Sequence, residues 1–158
     1  IDTGFNSISG FNSYVLDVII DANGKIYCAG GFTTYKTVAA NRIIRLNTDG
    51  TKDTGFDNST GFGSETDAVI VDSEGKIVVV GAFTAYKSVT ANRIIRLNDD
   101  GSKDTSLDNS TGFGGTALGM TYDSYNRRYV VGGLFSTYRS VTQNGFTRLN
   151  HTGVLDTI

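Results

Sequence analysis

Acidic residues gather in two turns of this 158-residue chain. Asn47-Thr48-Asp49-Gly50 with Asp53, and Asn98-Asp99-Asp100-Gly101 with Asp104, resemble oxygen-rich calcium loops. Calcium requires several hard oxygens on one loop, so Asp49, Asp53, Asp100 and Asp104 are the candidate metal ligands. Against this, the place of the first Asp in a D-x-N-x-D-G loop holds Arg45 and Arg96, and a cation there repels the metal. The third such turn, His151-Thr152-Gly153, has no acid. The same residues admit a structural use. Arg45 with Asp53, Arg96 with Asp104 and Arg148 with Asp156 are each eight apart and straddle a turn. Opposite charges across a hairpin favour pairing by about 0.2–1 kcal/mol. His151 is the only histidine, and no cysteine pair accompanies it, so neither a nucleophilic triad nor a zinc site can be assembled. No cofactor and no enzymatic activity are expected.

Two other patterns could carry chemistry. Tyr35, Tyr86 and Tyr138 recur at fixed spacing, and a phenol ring at a surface could stack on a sugar. Asn58-Ser59-Thr60, Asn109-Ser110-Thr111 and Asn150-His151-Thr152 are N-glycosylation sequons, the first two in Gly/Ser/Thr loops where a glycan would be accommodated. The first loop has Ser7 at the equivalent position. The single Cys28 reads as a small core hydrophobe aligned with Val79 and Val130.

The elements that must position these residues come as a repeat. Asp2-Thr3-Gly4-Phe5 returns as Asp53-Thr54-Gly55-Phe56 and Asp104-Thr105-Ser106-Leu107, a spacing of 51. Between 2–52 and 53–103, 30 of 51 positions are identical, too many for chance similarity of composition. The third unit, 104–155, carries one extra residue, placed near Leu134, and 156–158 begin a fourth. Each unit reads as four short strands: in the second, Ala68–Asp72, Lys76–Phe83, Arg93–Asn98 and a stretch around Ser102–Leu107. Gly24, Gly75 and Asn126 fall in one tight turn that needs positive φ. Ile77–Val80 is apolar on both faces, as a strand is when sheets stack face to face. The loops Asn6–Ser13, Asp57–Ser64 and Asn109–Thr116 each hold one aromatic residue, Phe11, Phe62 or Phe113, expected to plug inward. Phe32, Phe83 and Phe135 form a further core row. The fold class is all-β, three tandem four-stranded antiparallel units.

Composition narrows the partners. A formal charge of −2 with interspersed signs gives no basic stripe for nucleic acid. No apolar run approaches the roughly 18 residues of a membrane span. The first residue is Ile1, so the expectation is a processed start or a piece of a longer protein.

The motifs G-K-I-V-V-V-G-A-F-T and R-I-I-R-L-N-D-D-G-S-K-D-T-S-L resemble the delta-60 repeat, a β-propeller-type repeat of bacterial, viral and metagenomic surface proteins. The resemblance covers nearly the whole chain in three copies. It implies four-stranded blades around an axis and supplies no catalytic residues. Propellers close with about four to eight blades, and an array of three leaves two apolar faces bare, which repeat proteins do not tolerate. Other copies of the chain, or further repeats of it, are the expected partners. A β-trefoil, which closes three such units in one chain, is the rival fold.

The expected function is a non-enzymatic structural and assembly module, a segment of an extracellular or virion-borne fibre, filament or large surface protein. The alternative is a carbohydrate-binding, lectin-like adhesion module. Exposure of Tyr35, Tyr86 and Tyr138 decides between them.

Overall fold

The computed structural model describes Phe5 and residues 10–107 and 111–156. All of its regular structure is β, and among the described residues no helix is long and apolar enough to cross a membrane. The first unit contains β1 (Val15–Ile20), β2 (Ile26–Gly30), β3 (Thr34–Tyr35), β4 (Val38–Ala39) and β5 (Ile43–Leu46). The second contains β6 (Thr66–Val71), β7 (Ile77–Gly81), β8 (Ala85–Tyr86), β9 (Val89–Thr90) and β10 (Ile94–Leu97). The third contains β11 (Ala117–Asp123), β12 (Arg128–Gly133), β13 (Thr137–Tyr138), β14 (Val141–Thr142) and β15 (Phe146–Asn150).

Each unit is its own antiparallel sheet, ordered β1-β2-β5, β6-β7-β10 and β11-β12-β15. None of these strands pairs with a strand of another unit among the described residues. A trefoil would weave its units into a common barrel, so the separate sheets are propeller blades and not that rival. The blades meet through side chains and through backbone bonds from Phe62 and Phe113 to the Asn41 and Asn92 carbonyls of the preceding blade. One face of the first blade, with Tyr27, Ala29 and Ile43, packs on Val69, Val79 and Ile95 of the second. The second blade presents Val78, Val80 and Ile94 on its other face to Tyr129, Val131 and Leu149 of the third. The two-faced apolar character of β7 follows from this: all five of its residues are buried.

Three details differ from the sequence reading. The fourth strand shrinks to one bridge, Leu46 to Lys52, Leu97 to Lys103 and Leu149 to Leu155. In the second blade Asp104 then accepts the Ser106 backbone N–H on Oδ1, and this local turn draws the chain out of the ladder. Short hairpins, β3-β4, β8-β9 and β13-β14, stand where no strand pattern is visible in the residues. Last, the extra residue of the third unit lies in the turn after β11, not near Leu134. Val71 pairs with Ile77, whereas Tyr122 pairs with Tyr129. The left-handed residues of this turn are Gly24, Gly75 and Arg127, not Asn126. Cys28 and Val79 therefore correspond to Val131, which faces the second blade.

A bulge interrupts each first strand, between Val15 and Asp17, Thr66 and Ala68, and Ala117 and Gly119. Opposite it stand Gly30, Gly81 and Gly133. A Cβ on Gly81 would lie 2.4 Å from the Glu65 carbonyl oxygen, so the bulge requires a residue without one.

Candidate functional site

The repeated arginine is the most heavily used polar group in the fold. Arg45 Nε lies 2.8 Å from Asp53 Oδ2, Arg96 Nε lies 2.9 Å from Asp104 Oδ2, and Arg148 Nε lies 2.8 Å from Asp156 Oδ2. The pairs inferred from the spacing of eight are thus in contact. Their other half carries no mark in the sequence. Each of the first two guanidiniums also crosses to the next blade. Arg45 Nη1 donates to the Asp99 backbone carbonyl at 2.8 Å, pairs with the Asp99 carboxylate, and reaches the Tyr27 hydroxyl. Arg96 Nη1 donates to the His151 carbonyl at 2.8 Å and to the Tyr129 hydroxyl at 3.2 Å. Tyr129 in turn donates to Asp72 Oδ2 at 2.7 Å. Burial and the Asp72 carboxylate together push the Tyr129 hydroxyl above the ordinary tyrosine value. His151 thus contributes a backbone oxygen to a junction between blades.

A second arginine row does the same near the loop aromatics. Arg42 and Arg93 adopt positive φ, 68° and 65°, and donate at 2.7 Å to the carbonyls of Phe62 and Phe113 in the following blade. Gly145 holds this place in the third blade, at φ 74°.

The calcium candidates are engaged within their own turns. Asp49 Oδ1 accepts from the Thr51 N–H and hydroxyl, and Asp100 Oδ1 from those of Ser102. These bonds hold both carboxyls below the usual carboxylate range. Asp53 and Asp104 face the arginines. Among the described residues no three acidic, histidine or cysteine side chains converge as a metal set would.

The tyrosine row is not ligand-facing. Tyr35, Tyr86 and Tyr138 are buried, and their hydroxyls donate to the carbonyls of Gly50, Gly101 and Gly153 at 2.8, 2.8 and 2.5 Å. The loop aromatics are the cause. Phe62 lies 4.4 Å from Phe83 and 4.6 Å from Tyr86, ring centre to ring centre, so three aromatics stack as one internal wedge. The Phe11 and Phe113 wedges repeat it.

The expected exposure of the first sequon is also corrected. Asn58 is buried and its Nδ2 donates to the Ile43 carbonyl, because the loop folds onto the first blade. Asn150 ends β15, with Oδ1 accepting from the Thr152 and Val154 amides. Asn109 lies outside the described residues. Cys28 is buried, and burial followed by the Asp17 charge pushes its thiol up to about 11, far from a reactive thiolate.

Apolar side chains are exposed at both ends of the array, as well as on hairpins and turns such as those of Val89, Tyr125 and Leu134. Along β1 burial alternates, and Leu16, Val18 and Ile20 are 49, 55 and 69% exposed. The corresponding face of β6, with Val69, is covered by the first blade. On the outer face of the third blade, Phe146 is 65% exposed beside Thr121, Val130 and Gly132, which line a hollow of about 380 Å³.

Residues 22–56, 73–107 and 126–157 match the family described as a beta-propeller domain of unknown function, DUF5122. The chain belongs to this beta-propeller family. Three tandem matches agree with the delta-60 resemblance and with the three blades. The matched segments of this DUF5122 chain begin just after each first strand and end near Phe56, Leu107 and Thr157, leaving out the loop aromatics and all of β1, β6 and β11. No curated protein matches the chain.

Proposed function

We propose that this beta-propeller chain is a non-enzymatic structural module that works by assembly through its end faces. It serves as a repeat segment of an extracellular or virion-borne fibre, filament or large surface protein. The carrying observation is the pair of exposed apolar faces, Leu16-Val18-Ile20 at one end and Phe146 at the other. Exposed patches of this kind mark association surfaces, and stacked repeats are stabilised by their neighbours. The recurring polar groups support the same reading: in the first two units they tie blade to blade. The placement outside the cell rests on the resemblance to repeats of surface proteins. The carbohydrate-binding alternative loses its aromatic platform with the burial of Tyr35, Tyr86 and Tyr138.

Light scattering and electron microscopy on native material test the assembly. Particles of many blades, as rings or fibres, are the expected result. A lone three-bladed chain under native conditions would overturn it. Immunogold labelling on intact cells or particles tests the location.

A further inference from the structure

We infer that Lys25 joins Asn47, and Lys76 joins Asn98, through side-chain amide bonds that the folded blades form by themselves.

The register brings each pair together. Ile26 faces Leu46 and Ile77 faces Leu97 across adjacent antiparallel strands, so the next residues out along the ladder are Lys25 with Asn47 and Lys76 with Asn98. Lys25 Nζ lies 2.6 Å from Asn47 Oδ1, and Lys76 Nζ lies 2.6 Å from Asn98 Oδ1. An amine held against a carboxamide turns a slow bimolecular attack into an effectively unimolecular one. A carboxylate stands beside each amine. Asp53 Oδ2 is 2.8 Å from Lys25 Nζ and Asp104 Oδ2 is 3.8 Å from Lys76 Nζ, with both acids nearly buried. On the far side of each amide a hydroxyl accepts from Nδ2 at 2.9 Å, Thr51 for Asn47 and Ser102 for Asn98. The amide is thus held at both ends. The two lysines are 33 and 32% exposed, so a released nitrogen has water beside it.

The step balances within these groups. In the first blade Asp53 Oδ2 takes one proton from the Lys25 ammonium, and the freed lone pair attacks Asn47 Cγ. The Nζ–Cγ bond forms. Asp53 returns its proton to Nδ2 as the Cγ–Nδ2 bond breaks, and the second proton given up by Nζ leaves with the ammonia as ammonium. The carboxylate is restored and nothing is oxidised or reduced. Asp104 serves Lys76 and Asn98 in the same way, more slowly over its longer distance.

The third blade lacks the reaction. Arg128 faces Asn150 in the same register, and its Nε pairs with Asp156 at 2.6 Å. A guanidinium does not give up its proton in proteins and is no nucleophile. Val154 stands where Thr51 and Ser102 supply the hydroxyl. Each link in the other two blades joins residues 22 apart and constrains the unfolded chain as a disulfide would, in a chain whose one cysteine cannot form an internal disulfide.

Intact-mass spectrometry of the folded chain, purified and incubated at neutral pH, tests this. The expected mass lies two ammonia molecules below that of the sequence. Lys25→Arg and Lys76→Arg place in the first two blades the residue that the third carries, and circular dichroism checks that the fold is kept. Each variant is expected to retain one ammonia and the double variant both. Peptide mapping of the parent is expected to find Lys25 linked to Asn47 and Lys76 linked to Asn98. The full sequence mass in a folded, long-incubated chain overturns the proposal. So does an ammonia loss that persists in the double variant, because it would then come from succinimide formation at Asn23-Gly24 or Asn144-Gly145.

Discussion

The Arg96 guanidinium is the residue on which the middle junction depends. It is almost fully buried, faces Asp104 and Asp72, and donates across the blade boundary to His151. Removing one partner of a buried ion pair leaves an uncompensated charge and costs about 3–5 kcal/mol. Arg96→Ala is therefore expected to lower unfolding stability by that order. Arg148→Ala is expected to cost less than about 1 kcal/mol, because its side chain is 35% exposed and Arg128 Nε stays 2.6 Å from Asp156. Urea denaturation of the two variants reads the difference directly, and equal losses would show that the cross-blade contacts carry no weight. The eight-residue spacing made the ion pairs legible. The bonds to the next blade were not, because their acceptors are backbone carbonyls roughly 54 residues away, and no side-chain pattern marks them.

Asp67 in β6 is a carboxyl that the fold disfavours as an anion. Its value is pushed up to about 6, first by burial and then by the charge of Glu65. The unfolded value is near 3.9. The folded form thus holds its proton more tightly, so this group's contribution is fully present below about pH 4. It is lost as the pH rises to about 6 and is flat above. Asp67→Asn is expected to be more stable than the parent at pH 7 and to show no such fall. Thermal melts of both proteins from pH 3.5 to 8 check it; parallel curves would overturn it. Leu16 and Leu118 occupy the same place in the other blades, which fits a site better suited to an apolar group.

At the level of elements, the turns reveal what sequence can and cannot mark. Three hairpin tips place two consecutive residues at positive φ, Lys36-Thr37, Lys87-Ser88 and Arg139-Ser140. Such turns normally carry Asn-Gly, so β3, β8 and β13 gave no hairpin signal. The Tyr before each tip and the cation within it supply the compensation. Lys36 Nζ reaches the Gly50 carbonyl at 3.2 Å and lies over the Tyr35 ring. Thr37 is β-branched at φ 68°, a position that only glycine adopts without strain. Thr37→Gly is expected to gain roughly 0.5–1 kcal/mol after the added freedom of the unfolded chain is discounted. Arg93→Gly, at a similar φ, is expected to lose stability instead, since it deletes the bond to the Phe113 carbonyl. Denaturant midpoints of the pair decide whether backbone strain or side-chain grip prevails at each site. The same logic explains the misplaced insertion. Asn126 looked like the left-handed residue because Asn tolerates that region, but the hairpin gained a residue and Arg127 took the position. Blade faces, central strands and the Phe plugs were legible, because apolar periodicity reports burial wherever it occurs.

For the whole molecule, a stack of blades has stability that is close to a sum of blade and interface terms. The middle blade has two interfaces and each end blade has one. In the dilute single chain, amide exchange is then expected to be slowest in β7, whose five residues are all buried, and faster in β1 and β15. The reason is local: β1 presents an alternating, half-covered face, while β6 at the same register is sealed by its neighbour. Raising the concentration adds the missing interface to both ends at once. Protection in β1 and β15 should therefore climb towards that of β7, while β7 itself changes little until the ends match it. Hydrogen exchange followed by mass spectrometry at two concentrations reads all three strands in one experiment. Equal protection in every blade at high dilution would mean that the three blades open only as one unit, and the sum over interfaces would then be the wrong description of this chain.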